Sequence, residues 1–235
     1  MKAVLDHIHQ EADDIRTFWF SPARAVQYTA GQFIQMLLQH DKPDDRGDKR
    51  WFTLSSSPTD APLISITTKF AKTNSSSFKS TLHALKPGDE VEITDPMGDF
   101  VLPKDKSIPL VFVAGGIGIT PFHSIIKDLK DTAEHRSIQF LYALHDKNEQ
   151  VFDELLSGYG LNQYTLIYQE TNDPKAEKGN LSGARIIELT GSVENKLIYV
   201  SGPEGMVEAL QGGLQEIEVP KSQLVGDYFP NYSSI

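Results

Sequence analysis

The chain has 235 residues, 39% of them hydrophobic and 23% charged, which suits one large or two small soluble domains with ample material for a core. Its 22 Lys+Arg against 32 Asp+Glu give a net charge of -10, a poor match for general binding of nucleic acid or anionic membrane. It has no cysteine, which excludes disulfides, thiolate zinc sites, a cysteine nucleophile and a cysteine-ligated iron–sulfur cluster within these residues.

The first hundred residues read as β-rich. Strands are predicted at 15–20, 32–38, 51–54 and 63–69, with a charged loop after the second and Pro58 to Pro62 turning before the fourth. Ser75, Ser76 and Ser77 offer helix caps ahead of Phe78, Leu82 and Leu85, and Pro87-Gly88 ends that helix. Strands at 91–94 and 100–102 complete an expected six-stranded antiparallel Greek-key barrel. His7 and His9 precede the first strand and read as solvent-facing rather than as metal ligands.

Pro103 to Ser107 reads as a linker, so the expected domains are 1–103 and 108–235. Beyond it the period changes. Strands at 110–114, 138–144, 164–168 and 197–201 alternate with helices at 121–130, 149–157, 183–189 and 204–217, the pattern of a parallel α/β sheet. The run Leu110-Val111-Phe112-Val113-Ala114 reads as the central strand. It stops at Gly115-Gly116-Ile117-Gly118, and Thr120 is expected to cap the next helix with Pro121 in its first turn. Free backbone N–H groups at such a turn suit a phosphate. The usual dinucleotide fingerprint wants a third glycine where Pro121 stands, so this stretch alone leaves a ligand-free turn open.

Arg50-Trp51-Phe52-Thr53-Leu54-Ser55-Ser56-Ser57 puts an arginine, aromatics and hydroxyls on one strand. A cofactor flat at one end and phosphorylated at the other could use Arg50 on phosphate, Phe52 or Trp51 on a ring, and Thr53 on a ring nitrogen. Taken alone, this stretch is read more readily as a plain barrel strand with a surface arginine and a core phenylalanine. The order Arg50-x-Phe52-Thr53-Leu54-Ser55, then Thr67-Thr68-Lys69, Ser76-Ser77-Phe78-Lys79, Gly115 to Pro121 and Ser201-Gly202-Pro203-Glu204-Gly205-Met206 resembles the ferredoxin–NADP reductase-like flavoprotein family. The resemblance runs through nearly the whole chain.

The resemblance implies a flavin barrel followed by a nicotinamide nucleotide domain. Arg50 matches the flavin-phosphate arginine, Phe52 the ring-stacking aromatic without its usual hydroxyl, and Thr53 the hydroxyl residue at flavin N5. Leu54 and Ser55 continue that strand. Thr67 and Lys69 would contact the cofactor's tail, and Ser76 and Ser77 match a pyrophosphate turn, which favours FAD over FMN. Gly115, Gly116, Gly118, Thr120 and Pro121 match the nicotinamide-side turn, with Gly202, Pro203 and Met206 in its companion motif. Ser201 stands where the family often has cysteine and would keep a polar positioning role. His145, followed by Asp146 and Lys147, stands where the adenosine ribose is read and leaves NADH and NADPH both open. Near the end, Phe229 either approaches the flavin or anchors the terminus with Tyr232, and Asp227 is a possible proton or hydrogen-bond partner.

The expected activity is a flavin-dependent NAD(P)H oxidoreductase that takes hydride onto FAD and passes electrons to a separate acceptor. Ferredoxin, flavodoxin, an oxygenase component or a small molecule would serve as that acceptor. The alternative is a flavin-binding subunit active only with a partner chain. No metal site, nucleic acid or membrane span is expected, and a cytoplasmic location follows from the absence of an apolar leader in MKAVLDHIHQEADD.

Overall fold

The computed structural model describes residues 1–40, 43–70 and 75–229, the last of these (Phe229) by its backbone alone. Six antiparallel strands come first: β1 (Lys2–Ala12), β2 (Ile15–Pro22), β3 (Phe33–Leu37), β4 (Lys49–Thr53), β5 (Ile64–Lys69) and, after helix α1 (Ser77–Ala84), β6 (Glu90–Ile93). Their order is β4-β3-β6-β1-β2-β5. A bridge from Leu54 to Ile66 and the Ser55 amide on the Ser65 carbonyl at 2.9 Å join the two ends into a barrel. Phe18, Phe20, Ile34, Met36, Phe52, Leu54, Ile66 and the α1 residues Phe78 and Leu82 fill it.

The strand count is as expected, but its membership is not. β1 was not anticipated, and His7 and His9 lie within it rather than ahead of a strand. Of its first ten residues only Ala3 and Leu5 are buried, so the apolar alternation that marks a strand is missing. The strand exists because it pairs with β2, where His7 stacks on Trp19 at 5.6 Å across the ladder. Residues 100–102 form no strand. Phe100 instead packs edge-on against Phe122 and Tyr199, and the Tyr199 hydroxyl donates to the Val101 carbonyl at 2.8 Å. Phe100 and Leu102 pack into the core shared with the α/β half.

The second half holds β7 (Leu110–Gly115), α2 (Thr120–Asp131), β8 (Ile138–Leu144), α3 (Asp153–Gly158), β9 (Gln163–Tyr168), β10 (Glu177–Lys178), α4 (Gly183–Thr190), β11 (Leu197–Pro203), α5 (Glu204–Glu216) and β12 (Leu224–Phe229). Its all-parallel sheet runs β10-β9-β8-β7-β11-β12. Every residue of β7 is buried, as a central strand covered on both faces requires. β10 and β12 were not anticipated. Gly226-Asp227 breaks the apolar run of β12, which is ordered by pairing along β11. Ile15, Ala30 and Phe100 of the first half share a core with Phe112, Phe122 and Ile125, so the two halves bury apolar surface against each other.

Candidate functional site

The carboxyl ends of β7, β11 and β12 converge on the end of β4, and the local geometry begins with glycine. A Cβ on Gly118 would stand 2.3 Å from the Ser201 carbonyl oxygen, so only glycine lets the turn after β7 lie on the turn after β11. Met206 fills the remaining gap; a Cβ on Gly115 or on Gly202 would strike its side chain. Met206 therefore locks the two turns together by packing. Gly116 has φ +51° and open space around it.

Thr120 does not cap α2. Residues 116–119 form a 3₁₀ turn that runs straight into the helix, placing Pro121 in the first turn while the Thr120 hydroxyl donates back to the Ile117 carbonyl. The chain's free N–H groups are thereby moved from Thr120 to the start of the 3₁₀ turn, beside Gly116.

Ser201 and Asp227 are register partners on neighbouring strands, and Thr53 from the barrel meets them. Thr53 and Ser201 are buried. The Ser201 Oγ and Asp227 Oδ2 atoms are buried and have no hydrogen-bond partner among the described residues. Burial pushes the Asp227 carboxyl up to about 6, while the Ser201 and Thr53 hydroxyls beside it pull the other way and Asp99 adds to the rise. Two orphaned polar atoms at a domain junction are what a site for a polar ring edge leaves behind. The side chain of Phe229, and Tyr232 with its neighbours, lie outside the described residues; Pro203 is paired with Phe229 along the sheet.

On the barrel side, Phe52 is 7% exposed and sits in the core against Phe78 at 5.9 Å, whereas Trp51 is 43% exposed. Arg50 donates to the Arg46 and Lys49 carbonyls, both at 2.6 Å, and lies over the Phe78 ring. Ser76 caps α1 by accepting from the Lys79 amide at 3.1 Å. The Ser77 amide donates to Asp44 at 3.0 Å, and the Ser77 hydroxyl accepts from the Asp44 amide at 2.9 Å. The Arg46 guanidinium, then the Ser77 amide, hold the Asp44 carboxyl at about 2. A carboxylate on that helix start, 4.0 Å from Arg50, demonstrates that these groups suit an anion. The donor set suits a phosphorylated flavin, for which the Asp44 carboxylate would compete. Replacing Asp44 with Asn removes the competing charge, and flavin affinity measured by fluorescence quenching should rise about threefold to tenfold.

The other expected site residues make contacts within the chain. Ser55 and Thr67 are buried and hydrogen-bond each other at 2.9 Å, with Ser65 joining Ser55 and Thr17 joining Thr67. Lys69 pairs with Glu149 across the seam at 2.6 Å. Leu54 is fully buried in the barrel. His145 is exposed and bonds Gln169 at 2.7 Å; beside it a cavity of about 390 Å³ is lined by Asp146, Lys147, Tyr168 and Glu170 at the carboxyl ends of β8 and β9. A cavity of about 920 Å³, lined by Ile187, Val193 and Val219 among others, opens at the amino end of the parallel sheet, away from the edge where such sheets bind ligands. Among the described residues no His/Asp/Glu group could hold a metal, and no helix is long and apolar enough to cross a membrane.

Residues 112–212 match the family described as the oxidoreductase NAD-binding domain. The chain is 27% identical to flavohemoprotein A of Dictyostelium discoideum, over 96% of its own length and 59% of the relative's. It is 31% identical to the reductase component of propane 2-monooxygenase from Rhodococcus jostii, over 60% of its length and 41% of that protein's. It therefore spans less than two thirds of either relative. The crystal structure of the flavohem-like FAD/NAD-binding domain of nitric oxide dioxygenase from Vibrio cholerae superposes with a TM-score of 0.82 at 22% identity, covering 97% of this chain and 98% of the other, which shows a shared fold.

Proposed function

From the match of residues 112–212 to the oxidoreductase NAD-binding domain and a two-part fold shared with the ferredoxin–NADP reductase-like flavoproteins, we propose that the chain is an NAD(P)H-dependent flavoprotein reductase. The observation that carries this reading is the meeting of Thr53, Ser201 and Asp227 where the barrel touches the nucleotide turns, with the Ser201 and Asp227 oxygens left unpaired. Residues 1–103 would hold the flavin and 108–235 the nucleotide.

The Gly115–Gly118 and Ser201–Met206 turns would receive the nucleotide, with backbone N–H groups near Gly116 on its phosphates. Ser201 would orient the nicotinamide by its hydroxyl, and Thr53 would orient the ring it faces. Asp227 holds a proton at its carboxyl up to about pH 6 and could exchange it with a flavin edge bound at this junction. The shared core around Phe100 and Phe122 keeps water out of the junction. A bound flavin supplies an acceptor of two electrons that releases them singly or in pairs. Without cysteine these 235 residues cannot ligate an iron–sulfur cluster through thiolates, and the acceptor proposed for the electrons lies outside them.

An anaerobic absorbance titration with NADH and, separately, NADPH tests the reading. Bleaching of the flavin band near one equivalent is expected. A yellow protein that neither nucleotide reduces would favour the partner-dependent subunit, and a protein that cannot be loaded with FAD or FMN would end the flavoenzyme reading.

A further inference from the structure

Helix α2 leaves the nicotinamide turn and runs directly onto the backbone that continues β4. Two successive side chains touch it there. His123 Nδ1 lies 2.6 Å from the Ser55 carbonyl oxygen, and the Ser124 hydroxyl donates to the Ser56 carbonyl at 2.5 Å. Ser55 is two residues from Thr53, and His123 is five from Gly118, so a single hydrogen bond closes a short path between the two halves of the site. A carbonyl can only accept, so His123 Nδ1 carries the proton. Burial holds the ring's pKa down to about 4, which keeps it neutral and leaves Nε2 bare.

The far face of the His123 ring is held by Phe152, with ring centroids 3.9 Å apart and planes 31° apart. Phe152 has φ 65°, the left-handed region that a bulky residue rarely adopts.

We infer that His123 is a positioning residue: its hydrogen bond to the Ser55 carbonyl fixes the separation between the nicotinamide turn and the strand end that carries Thr53. The inference rests on the reductase reading above. Ser124 supplies a second contact, so loss of His123 tilts the helix on the barrel without detaching it. Transfer between two bound rings is steeply sensitive to such a tilt, since a shift of about 1 Å in reacting atoms costs on the order of a hundredfold.

The test compares H123L, which removes the donor, with H123N, whose Nδ2 stands near the place of Nδ1 and keeps it. In anaerobic stopped flow with NADH and NADPH, H123L should lose at least about tenfold in the limiting rate of flavin bleaching, with half-saturation changed less than about threefold. H123N should recover most of the rate. In the flavin-free protein, hydrogen exchange at the amides of Ser55 and Ser65 should quicken in H123L and hold in H123N. Nitrogen NMR of the wild type should show Nδ1 protonated and Nε2 bare. Equal rates in H123L and wild type, an equal loss in both variants, or a wild-type Nε2–H tautomer would each overturn the inference, the last whether or not H123L folds. A wild type that neither nucleotide reduces removes the reductase reading and this role together, a result separable from the others.

Discussion

Replacing Asp227 with Asn should stabilise the folded protein by about 2–3 kcal/mol at pH 7.5 and leave its stability unchanged below about pH 4. The carboxyl has a pKa of about 6 in the folded chain against an ordinary value of 3.8, because burial beside Ser201 and Thr53 penalises its charge. Between those two values the folded state binds more protons than the unfolded one, so stability falls as the pH rises. Below the lower value both states are protonated and the penalty is absent. Above the upper value both are ionised and it is complete. Asparagine is never ionised, so the gap between variant and wild type opens from about pH 4 to about pH 6 and then stays level.

Urea unfolding of both proteins at half-unit pH steps from 4 to 8 reads this directly. Parallel stability profiles, or a variant weaker than wild type at pH 7.5, would show that the carboxyl is solvated or paired in the folded chain. The same substitution should slow bleaching of the flavin by the nucleotide, since Asn cannot exchange a proton with the ring edge. A variant that gains stability in this way would mark Asp227 as a residue kept for chemistry rather than for architecture.

What the sequence made legible follows how many neighbours each stretch needed. β7 was readable because burial on both faces leaves an unbroken apolar run, and the α2 stripe of Phe122, Ile125, Ile126 and Leu129 carries its own period. The glycines of the turn were readable as a turn, but not their reason, which is a neighbouring backbone over eighty residues on. β1 was opaque because most of its length faces solvent and only its pairing with β2 makes it a strand. Phe100 misled because an apolar residue announces burial without naming the surface that buries it. His123 gave no signal at all. A single histidine beside Phe122 on a helix reads as incidental until the barrel's Ser55 carbonyl is found opposite it. Asp227 and Ser201 were legible as separate positions, while their meeting with Thr53 depends on β12 pairing in one register along β11.

Gly118→Ala should cost about 2–4 kcal/mol of stability, more than Gly116→Ala, although Gly116 is the glycine with the positive φ. At Gly116 the added methyl enters open space and the cost is the left-handed backbone alone, about 1–2 kcal/mol. At Gly118 the methyl would stand 2.3 Å from the Ser201 oxygen and 2.5 Å from the Gly202 Cα. Both are backbone atoms of a buried strand end, and neither can swing aside as a side chain would. The two nucleotide turns must then separate, taking Ser201 out of register with Asp227 and Thr53. Flavin should still bind, because Arg50 and the α1 start lie on the barrel, but bleaching by either nucleotide should fall more than about a hundredfold. Urea unfolding, the flavin absorbance of the purified variants and the anaerobic titration together separate these effects. If Gly118→Ala kept both its stability and its reduction rate, the two turns would not be packed on each other, and the site built at their junction would have to be abandoned.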